Sequence, residues 1–197
     1  MLELVDLQYA DIHRINITVN SGECVSLSGP SGSGKTRLLR AIVDLDIHDG
    51  RVLCNGVEQD AIPAHEWRRQ VGYLPAESVW WADNVREHFN VVDQTMLRAL
   101  NLKEGILEEV VSHLSSGERQ RLALLRLLSL KPKALLLDEP TANLDDVNRE
   151  AVESLVCSYR QKNNVAIIWV SHDSEQLDRV ASRHFVIDVD NQQLVQR

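Results

Sequence analysis

Residues 29–36 read GPSGSGKT and follow the pattern G-x-x-x-x-G-K-[ST]. Glycines at this spacing let backbone N–H groups turn inward around phosphate oxygens, and a helix beginning at the end of the loop adds the positive end of its dipole. Lys35 can reach the β- and γ-phosphates of a nucleotide, and the Thr36 hydroxyl can ligate Mg²⁺. A second acidic position lies downstream, where the apolar run ALLLD at 134–138 ends on Asp138 and Glu139 follows at once. A carboxylate at the carboxyl end of a buried strand stands where open α/β sheets bind ligands. Asp138 fits a Mg²⁺ ligand acting through water, and Glu139 could polarise an attacking water. The chemistry this set can perform is phosphoryl transfer to water.

The elements that position these residues follow from periodicity. LELVDLQY (2–9) and RINITV (14–19) alternate like half-exposed strands. CVSLSG (24–29), VGYLP (71–75), ALLLD (134–138), VAIIWV (165–170) and HFVID (184–188) are short apolar runs and read as buried strands. RVLCNG (51–56) reads as a strand running into an Asn-Gly turn. TRLLRAIV (36–43) places Leu38, Leu39, Ile42 and Val43 on one helical face, and 147–160 places Val147, Ala151, Leu155 and Tyr159 on another. Buried strands alternating with helices imply an α/β domain with a largely parallel sheet. Residues 80–130 read as mostly helical and interrupt that alternation, so an inserted helical subdomain is expected over about 77–130.

Composition narrows the class. The 197 residues suffice for one domain, and 44% hydrophobic with 25% charged residues is ordinary for a globular protein. A net charge of −8 argues against a broad nucleic-acid surface. Cys24, Cys54 and Cys157 are far apart and show neither metal spacing nor a disulfide framework, so reduced, cytosolic thiols are expected. Residues 1–11 carry acids and no basic n-region, and no run approaches a membrane span. If the chain works at a membrane, another chain must do the spanning.

LSSGERQR (114–121) raises a separate question. It could open a helix with Ser116 as N-cap and Leu122, Leu125 and Leu128 or Leu130 as a core stripe. Ser-Ser-Gly favours turns, however, and a core helix has no need of it.

Four motifs fall in one order: GPSGSGKT (29–36), LSSGERQR (114–121), LLLDEPTANLD (135–145) and VSHD (170–173). Together they resemble the ATP-binding subunit of an ATP-binding cassette (ABC) transporter, over nearly the whole chain. Many ATPases carry the phosphate loop; the second motif makes the resemblance specific. It implies one ATPase domain over 1–197, a P-loop NTPase core with a mainly parallel sheet, an N-terminal antiparallel β subdomain and the inserted helical subdomain. It implies that Gly29, Ser31, Gly32, Ser33, Gly34, Lys35, Thr36 and Arg37 bind ATP, and that Thr36 and Asp138 hold Mg²⁺. Glu139 would be the general base, with Lys35 at the γ-phosphate and His172 the switch histidine that orients Glu139. Tyr9 resembles the aromatic that stacks on adenine. LSSGE resembles the signature motif, whose Ser115 and Gly117 would contact ATP held by a second subunit. Asn143 to Asp145 would cross the interface of a head-to-tail homodimer formed on ATP binding.

Some positions depart from the family. Ser116 stands where glycine is frequent and Glu118 where glutamine is frequent. After VGYLP the family usually has a glutamine that helps bind Mg²⁺ and water and links the site to the membrane partner; here the chain has Ala76 and then Glu77, alanine cannot ligate a metal, and either Glu77 substitutes or this contact is absent. Trp80 and Trp81 fall where the family has a groove for a short helix of its membrane partner, and one is expected buried and one partner-facing. The resemblance thus implies an integral membrane permease as partner, no nucleic acid, and a cytoplasmic place on the inner membrane's cytoplasmic face. Residues 163–188 and the compact insert resemble small ATP-binding subunits of iron-efflux exporters. A non-transport ABC ATPase, or an ATP-binding assembly module with weak turnover, stands as the alternative.

Overall fold

Alternating residues open the chain as an antiparallel ribbon, and solid apolar runs follow as a parallel sheet. The computed structural model describes residues 1–10 and 12–197, with His13 described in its backbone alone. In chain order the elements are β1 (Leu2–Tyr9), β2 (Ile12–Val19), β3 (Cys24–Ser28), α1 (Lys35–Ile42), β4 (Asp49–Cys54), β5 (Val57–Glu58), α2 (Ala64–Gln70) and β6 (Val71–Leu74). There follow α3 (Gln94–Ala99), α4 (Ser116–Ser129), β7 (Ala134–Asp138), α5 (Asp146–Asn163), β8 (Ala166–Val170), α6 (Ser174–Val180), β9 (Arg183–Asp188) and β10 (Gln193–Gln196).

One sheet is four-stranded and antiparallel in the order β2-β1-β4-β5. The other is six-stranded in the order β10-β9-β3-β8-β7-β6, parallel except for β10. Strand β8 lies between β3 and β7. The loops leaving these three strands at their carboxyl ends therefore converge on one edge, and they are the loops that carry the phosphate-loop residues, Asp138 with Glu139, and His172. Among the described residues no helix is long and apolar enough to cross a membrane.

The solid apolar runs serve both faces of the sheet. On β7, Leu135 and Leu137 join the core shared with α4 and α5, while Ala134 and Leu136 join the core shared with α1 and the antiparallel sheet. The β4–β5 turn is Asn55-Gly56 with both residues at positive φ, the geometry that an Asn-Gly hairpin favours.

The alternation in β1 slips once. Leu2 and Leu4 are buried, and then Leu7 and Tyr9. The extra residue falls at Asp6, whose φ is 49°, and the register against both neighbouring strands shifts there. Asn16 pins this bulge by accepting from the Asp6 N–H at 2.9 Å and donating to Asp6 Oδ1 at 3.0 Å. Gly50 packs against it so closely that a Cβ would lie 2.4 Å from the Asp6 carbonyl oxygen. The bulge turns Tyr9 inward.

Three sequence expectations change. The segment 80–130 is less helical than its periodicity predicts: between β6 and α4 it holds only the short α3 and single 3₁₀ turns at Val85–His88, Ile106–Glu108 and Val111–His113. Its apolar residues Val85, Phe89, Leu100 and Ile106 instead join the core shared with β7 and α5, so burial is achieved by folded loops. On α5 the buried face is Val152, Leu155, Val156 and Tyr159, whereas Val147 is 69% exposed. Asp145 caps the helix by accepting from the Asn148 N–H, and Val147 falls in the exposed first turn. The N-cap of α4 is Ser115 rather than Ser116, because Glu118 sits three residues after Ser115 and closes a capping box with it.

Candidate functional site

The phosphate loop leaves the buried strand β3 and enters α1 at Lys35. Gly34 precedes the helix at φ 97°, a conformation that a side-chain-bearing residue rarely adopts. Ser31, Gly32, Thr36 and Arg37 face solvent, Gly29 and Gly34 are half-buried, and Ser33 is buried. The Ser33 hydroxyl has no hydrogen-bond partner. Lys35 is folded back over the loop, its Nζ donating to the carbonyls of Gly29 at 2.9 Å and Pro30 at 3.0 Å. Burial lowers its pKa, and the carboxylates of Glu139 and Asp138 oppose that shift. An orphaned hydroxyl and a cation satisfied only by carbonyl oxygens fit an anionic ligand in this loop.

Thr36 reaches across the sheet edge. Its hydroxyl donates to Asp138 Oδ2 at 2.7 Å, joining residues 102 positions apart in the chain. Tyr73 on β6 donates to the same oxygen at 3.3 Å. Burial, and then the Asp138 charge, raise the Tyr73 pKa. A hydroxyl and a carboxylate placed together offer the hard oxygen donors that Mg²⁺ takes, so the residues fit that ion.

Glu139 has a left-handed backbone at φ 49°, uncommon for a residue with a side chain. Its N–H donates to the carbonyl of Val170 at 3.1 Å, tying the ends of β7 and β8 together. Its Oε1 is buried without a hydrogen-bond partner and lies 3.6 Å from Nε2 of the exposed His172. Burial raises the Glu139 pKa above the usual carboxylate range; His172 pulls it down, Asp138 pushes it up and Lys35 lowers it. A hollow of about 190 Å³ opens beside both residues, with Asn143, Arg149 and Ser171 among its walls.

The predicted residues divide into two groups. Lys35, Thr36, Asp138, Glu139 and His172 share one edge of the parallel sheet. Ser115, Gly117 and Asp145 lie elsewhere, at the N-termini of α4 and α5. The Ser115 hydroxyl is engaged within its own chain, donating to Glu118 Oε2 at 2.8 Å. Gly117 does permit a close approach, but to Leu144 of the same chain, whose Cδ2 would lie 2.9 Å from an added Cβ. Asp145 accepts from the Asn148 N–H at 2.8 Å as the α5 cap.

Tyr9 departs furthest from expectation. It is 4% exposed, and its ring and hydroxyl lie 3.3 Å from where a Gly34 Cβ would stand. Packed under the loop, it has no open face for a base in this conformation.

Trp81 is 69% exposed, while Trp80 is half-buried against the core. Both rings flank Arg126, whose guanidinium carbon is 4.7 Å from each ring centre. His88 accepts from the backbone N–H groups of Trp81 at 3.0 Å and Ala82 at 3.1 Å, and so holds this turn. Trp81 edges a groove of about 440 Å³ that also involves Tyr73, Leu74, Arg126, Leu127 and Leu130.

Three positioning residues gain their roles only in the fold, Arg121 and Gln120 at the end of LSSGERQR and Gln176 outside every motif. Arg121 is buried on α4 and donates to the carbonyls of Leu100 at 2.6 Å and Asn101 at 3.1 Å and to Asn148 Oδ1 at 2.8 Å, tying α3, α4 and α5 together. Gln120 donates to the Pro75 carbonyl at 3.1 Å. Gln176, fully buried, bridges Thr141 just after Glu139 at 2.9 Å and Glu153 on α5 at 2.8 Å.

The comparisons with known proteins agree on one family. The family model described as ABC transporter matches residues 12–142. Over 85% of this chain and 80% of the relative, the sequence is 31% identical to the "Probable iron export ATP-binding protein FetA" of Escherichia coli (strain K12). It is 35% identical to the phosphate import ATP-binding protein PstB of Saccharolobus solfataricus, over 87% of this chain and 76% of the relative. It is also 35% identical to a sulfate/thiosulfate import ATP-binding protein CysA of Bradyrhizobium diazoefficiens, over 91% of this chain but 57% of that longer relative. The fold is that of the ATP-binding cassette MJ0796, solved as a dimer bound to ADP and Pi, with a TM-score of 0.85 at 21% identity covering 100% of this chain and 98% of the other.

Proposed function

The chain belongs to the ABC transporter family as an ATP-binding and ATP-hydrolysing subunit, and from that premise we propose that two copies close head to tail around ATP and drive a separate membrane-spanning permease. One observation carries this reading. Thr36, Asp138, Glu139 and His172 meet at one sheet edge, with 2.7 Å between the first two side chains and 3.6 Å between the last two.

In this reading the backbone N–H groups of 29–36, the helix N-terminus and the side chains of Ser33 and Lys35 bind the phosphates. Lys35 exchanges its two carbonyl partners for the β- and γ-phosphates. Thr36 and Asp138 hold Mg²⁺, which neutralises phosphate charge when bound. Glu139 takes the proton of the attacking water with the oxygen that now lacks a donor. His172 orients that carboxylate and contacts the γ-phosphate. Ser115, the N-terminus of α4 and Asn143 to Asp145 complete the site of the second copy. That contact requires the Ser115 hydroxyl to leave Glu118. Tyr9 supports the loop from beneath and meets adenine only if its ring swings out from Gly34.

The permease docks at the groove beside Trp81. Leu45, Trp81 and Leu130 are 43%, 69% and 53% exposed there, a surface suited to an apolar helix. The chain then sits peripherally on the cytoplasmic face of the membrane. Relatives named for export and for import both match, and in this reading the permease selects the solute.

The test is copurification of tagged chain from detergent-solubilised membranes of the native host. A multi-spanning protein at near-equal stoichiometry, lost with Trp81→Ala, supports the reading. Recovery of only soluble chains, or of ribosomes, overturns it.

A further inference from the structure

Tyr73 touches two places that the transport reading otherwise leaves apart. Its hydroxyl donates to Asp138 Oδ2 at 3.3 Å, the oxygen that also receives Thr36 Oγ1 at 2.7 Å. It also contributes to the wall of the groove of about 440 Å³ that Trp81 edges. The strand register explains how one side chain does both. β6 pairs in parallel with β7, with Tyr73 opposite Leu136. Leu136 and Asp138 lie on one face of β7, so a long side chain at 73 leans along the strand to the carboxylate. A shorter residue at 73 would stop at Leu136.

Two donors on one oxygen fix the plane of the Asp138 carboxylate from that side. They approach from different elements, α1 and β6. Thr36 stands at the start of the helix that follows the phosphate loop, whereas Tyr73 belongs to the strand that borders the groove. Ala76, in the loop that continues from β6, has no polar side-chain atom to offer. The described hydrogen bonds between β6 and the Asp138 carboxylate thus reduce to this one phenol.

We propose that Tyr73 is a positioning residue that holds Asp138 Oδ2 for the Mg²⁺-bound nucleotide and passes the state of that site to the groove beside Trp81. The inference rests on the reading of Asp138 as the carboxylate that holds Mg²⁺. It assigns Tyr73 no contact with nucleotide or metal. Its phenol acts through Asp138 on one side and through the groove wall on the other.

Tyr73→Phe tests it, because phenylalanine keeps the ring in the wall and removes only the hydroxyl. The whole chain is titrated with ATP by calorimetry, once in Mg²⁺ and once in EDTA. A hydrogen bond as long as 3.3 Å, worth no more than an ordinary neutral one, supports a loss of about three- to tenfold in affinity in Mg²⁺. The affinity in EDTA should stay at the wild-type value, and the nucleotide-free melting temperature should fall only slightly, since Thr36 still donates to the same oxygen. Emission is read in a Trp80→Phe background, where Trp67 and Trp169 are fully buried and Trp81 reports the groove. Mg-ATP should shift that emission, and Tyr73→Phe should abolish the shift. An affinity loss equal in both buffers, no loss at all, a spectrum that never moves, or a shift that survives Tyr73→Phe overturns the proposal. If the chain with Tyr73 intact binds ATP equally well in both buffers, the Mg²⁺ reading of Asp138 fails as well, and that result is separable because it needs no variant.

Discussion

His172 Nε2 stands 3.6 Å from Glu139 Oε1, within ion-pair reach and longer than a hydrogen bond. The two come from neighbouring strands whose ends are tied by the Glu139 N–H on the Val170 carbonyl. The left-handed backbone at Glu139 aims its side chain along this edge, and the buried Oε1 is left without a donor. A strained residue holding an unpaired acceptor beside an imidazole is arranged for proton transfer.

Glu139→Gln replaces the basic carboxylate by an amide that cannot take a proton from water, and keeps the shape. ATP hydrolysis should fall by about 10²- to 10⁴-fold, the usual contribution of a general base. Nucleotide affinity should hold, so the variant should accumulate as a dimer in saturating Mg-ATP. Phosphate release and sizing chromatography read the two effects. A variant that stays monomeric would reject the head-to-tail arrangement.

Lys35→Ala removes a buried cation whose partners in this structure are two carbonyl oxygens. The fold loses little charge pairing, so the melting temperature without nucleotide should change little. ATP affinity should drop by at least about 100-fold, since a phosphate-bound lysine makes charge-assisted contacts of roughly 1.5–3 kcal/mol each. Calorimetric titration with ATP decides it, and wild-type affinity in the variant would refute the phosphate-loop assignment.

Much of this site is legible in the residue order. GPSGSGKT, the acid-terminated run ALLLDE and VSHD each end an apolar strand, and parallel strands bring their carboxyl ends to one edge whatever the intervening loops do. The insert before α4 is less regular than its sequence suggests, because folded turns rather than helices bury Val85, Phe89, Leu100 and Ile106. The α4 cap falls one residue earlier than Ser116, because Ser115 and Ser116 are equal as caps until the reach of Glu118 is considered. The partners of Gln176 and Arg121 are not legible, because each bridges segments remote in sequence. Tyr73 gave no signal either, since its partner is set by strand register and not by spacing along the chain.

The burial of Tyr9 is hidden in the sequence for a related reason. Strict alternation from Leu2 and Leu4 would turn position 9 outward, and only the bulge at Asp6 returns it to the core. A buried ring that carries the loop behaves differently from a surface stacking platform. Tyr9→Ala should therefore destabilise the nucleotide-free protein by about 3–5 kcal/mol, as aromatic truncation in a core does. Tyr9→Phe should leave stability unchanged or slightly raised, because the Tyr9 hydroxyl has no hydrogen-bond partner. Chemical denaturation of the three proteins reads this, and an alanine variant as stable as wild type would show the ring to be free of the core.

Glu23 predicts how the fold responds to acid. Arg183 on β9 grips it in a fork, Nε to Oε1 at 2.6 Å and a terminal nitrogen to Oε2 at 3.0 Å. The Asn20 N–H adds a donor to Oε2 at 2.8 Å. Burial pushes the Glu23 pKa up, but the Arg183 and Asn20 hydrogen bonds outweigh it and leave the carboxyl below its ordinary 4.5. A carboxylate depressed in the folded state binds protons more readily unfolded, so its contribution is complete above pH 4.5 and fades as pH falls through the lower folded value. Glu23→Gln should thus cost stability at pH 7, by about 1–3 kcal/mol for a forked, partly buried pair. The gap between variant and wild type should narrow steadily below pH 4.5. The clamp joins the start of β3 to β9, away from the nucleotide edge, so ATP affinity at neutral pH should be unaffected. Urea denaturation of both proteins across this range measures the gap, and a difference that widens on acidification would reverse the sign and remove the clamp from the account.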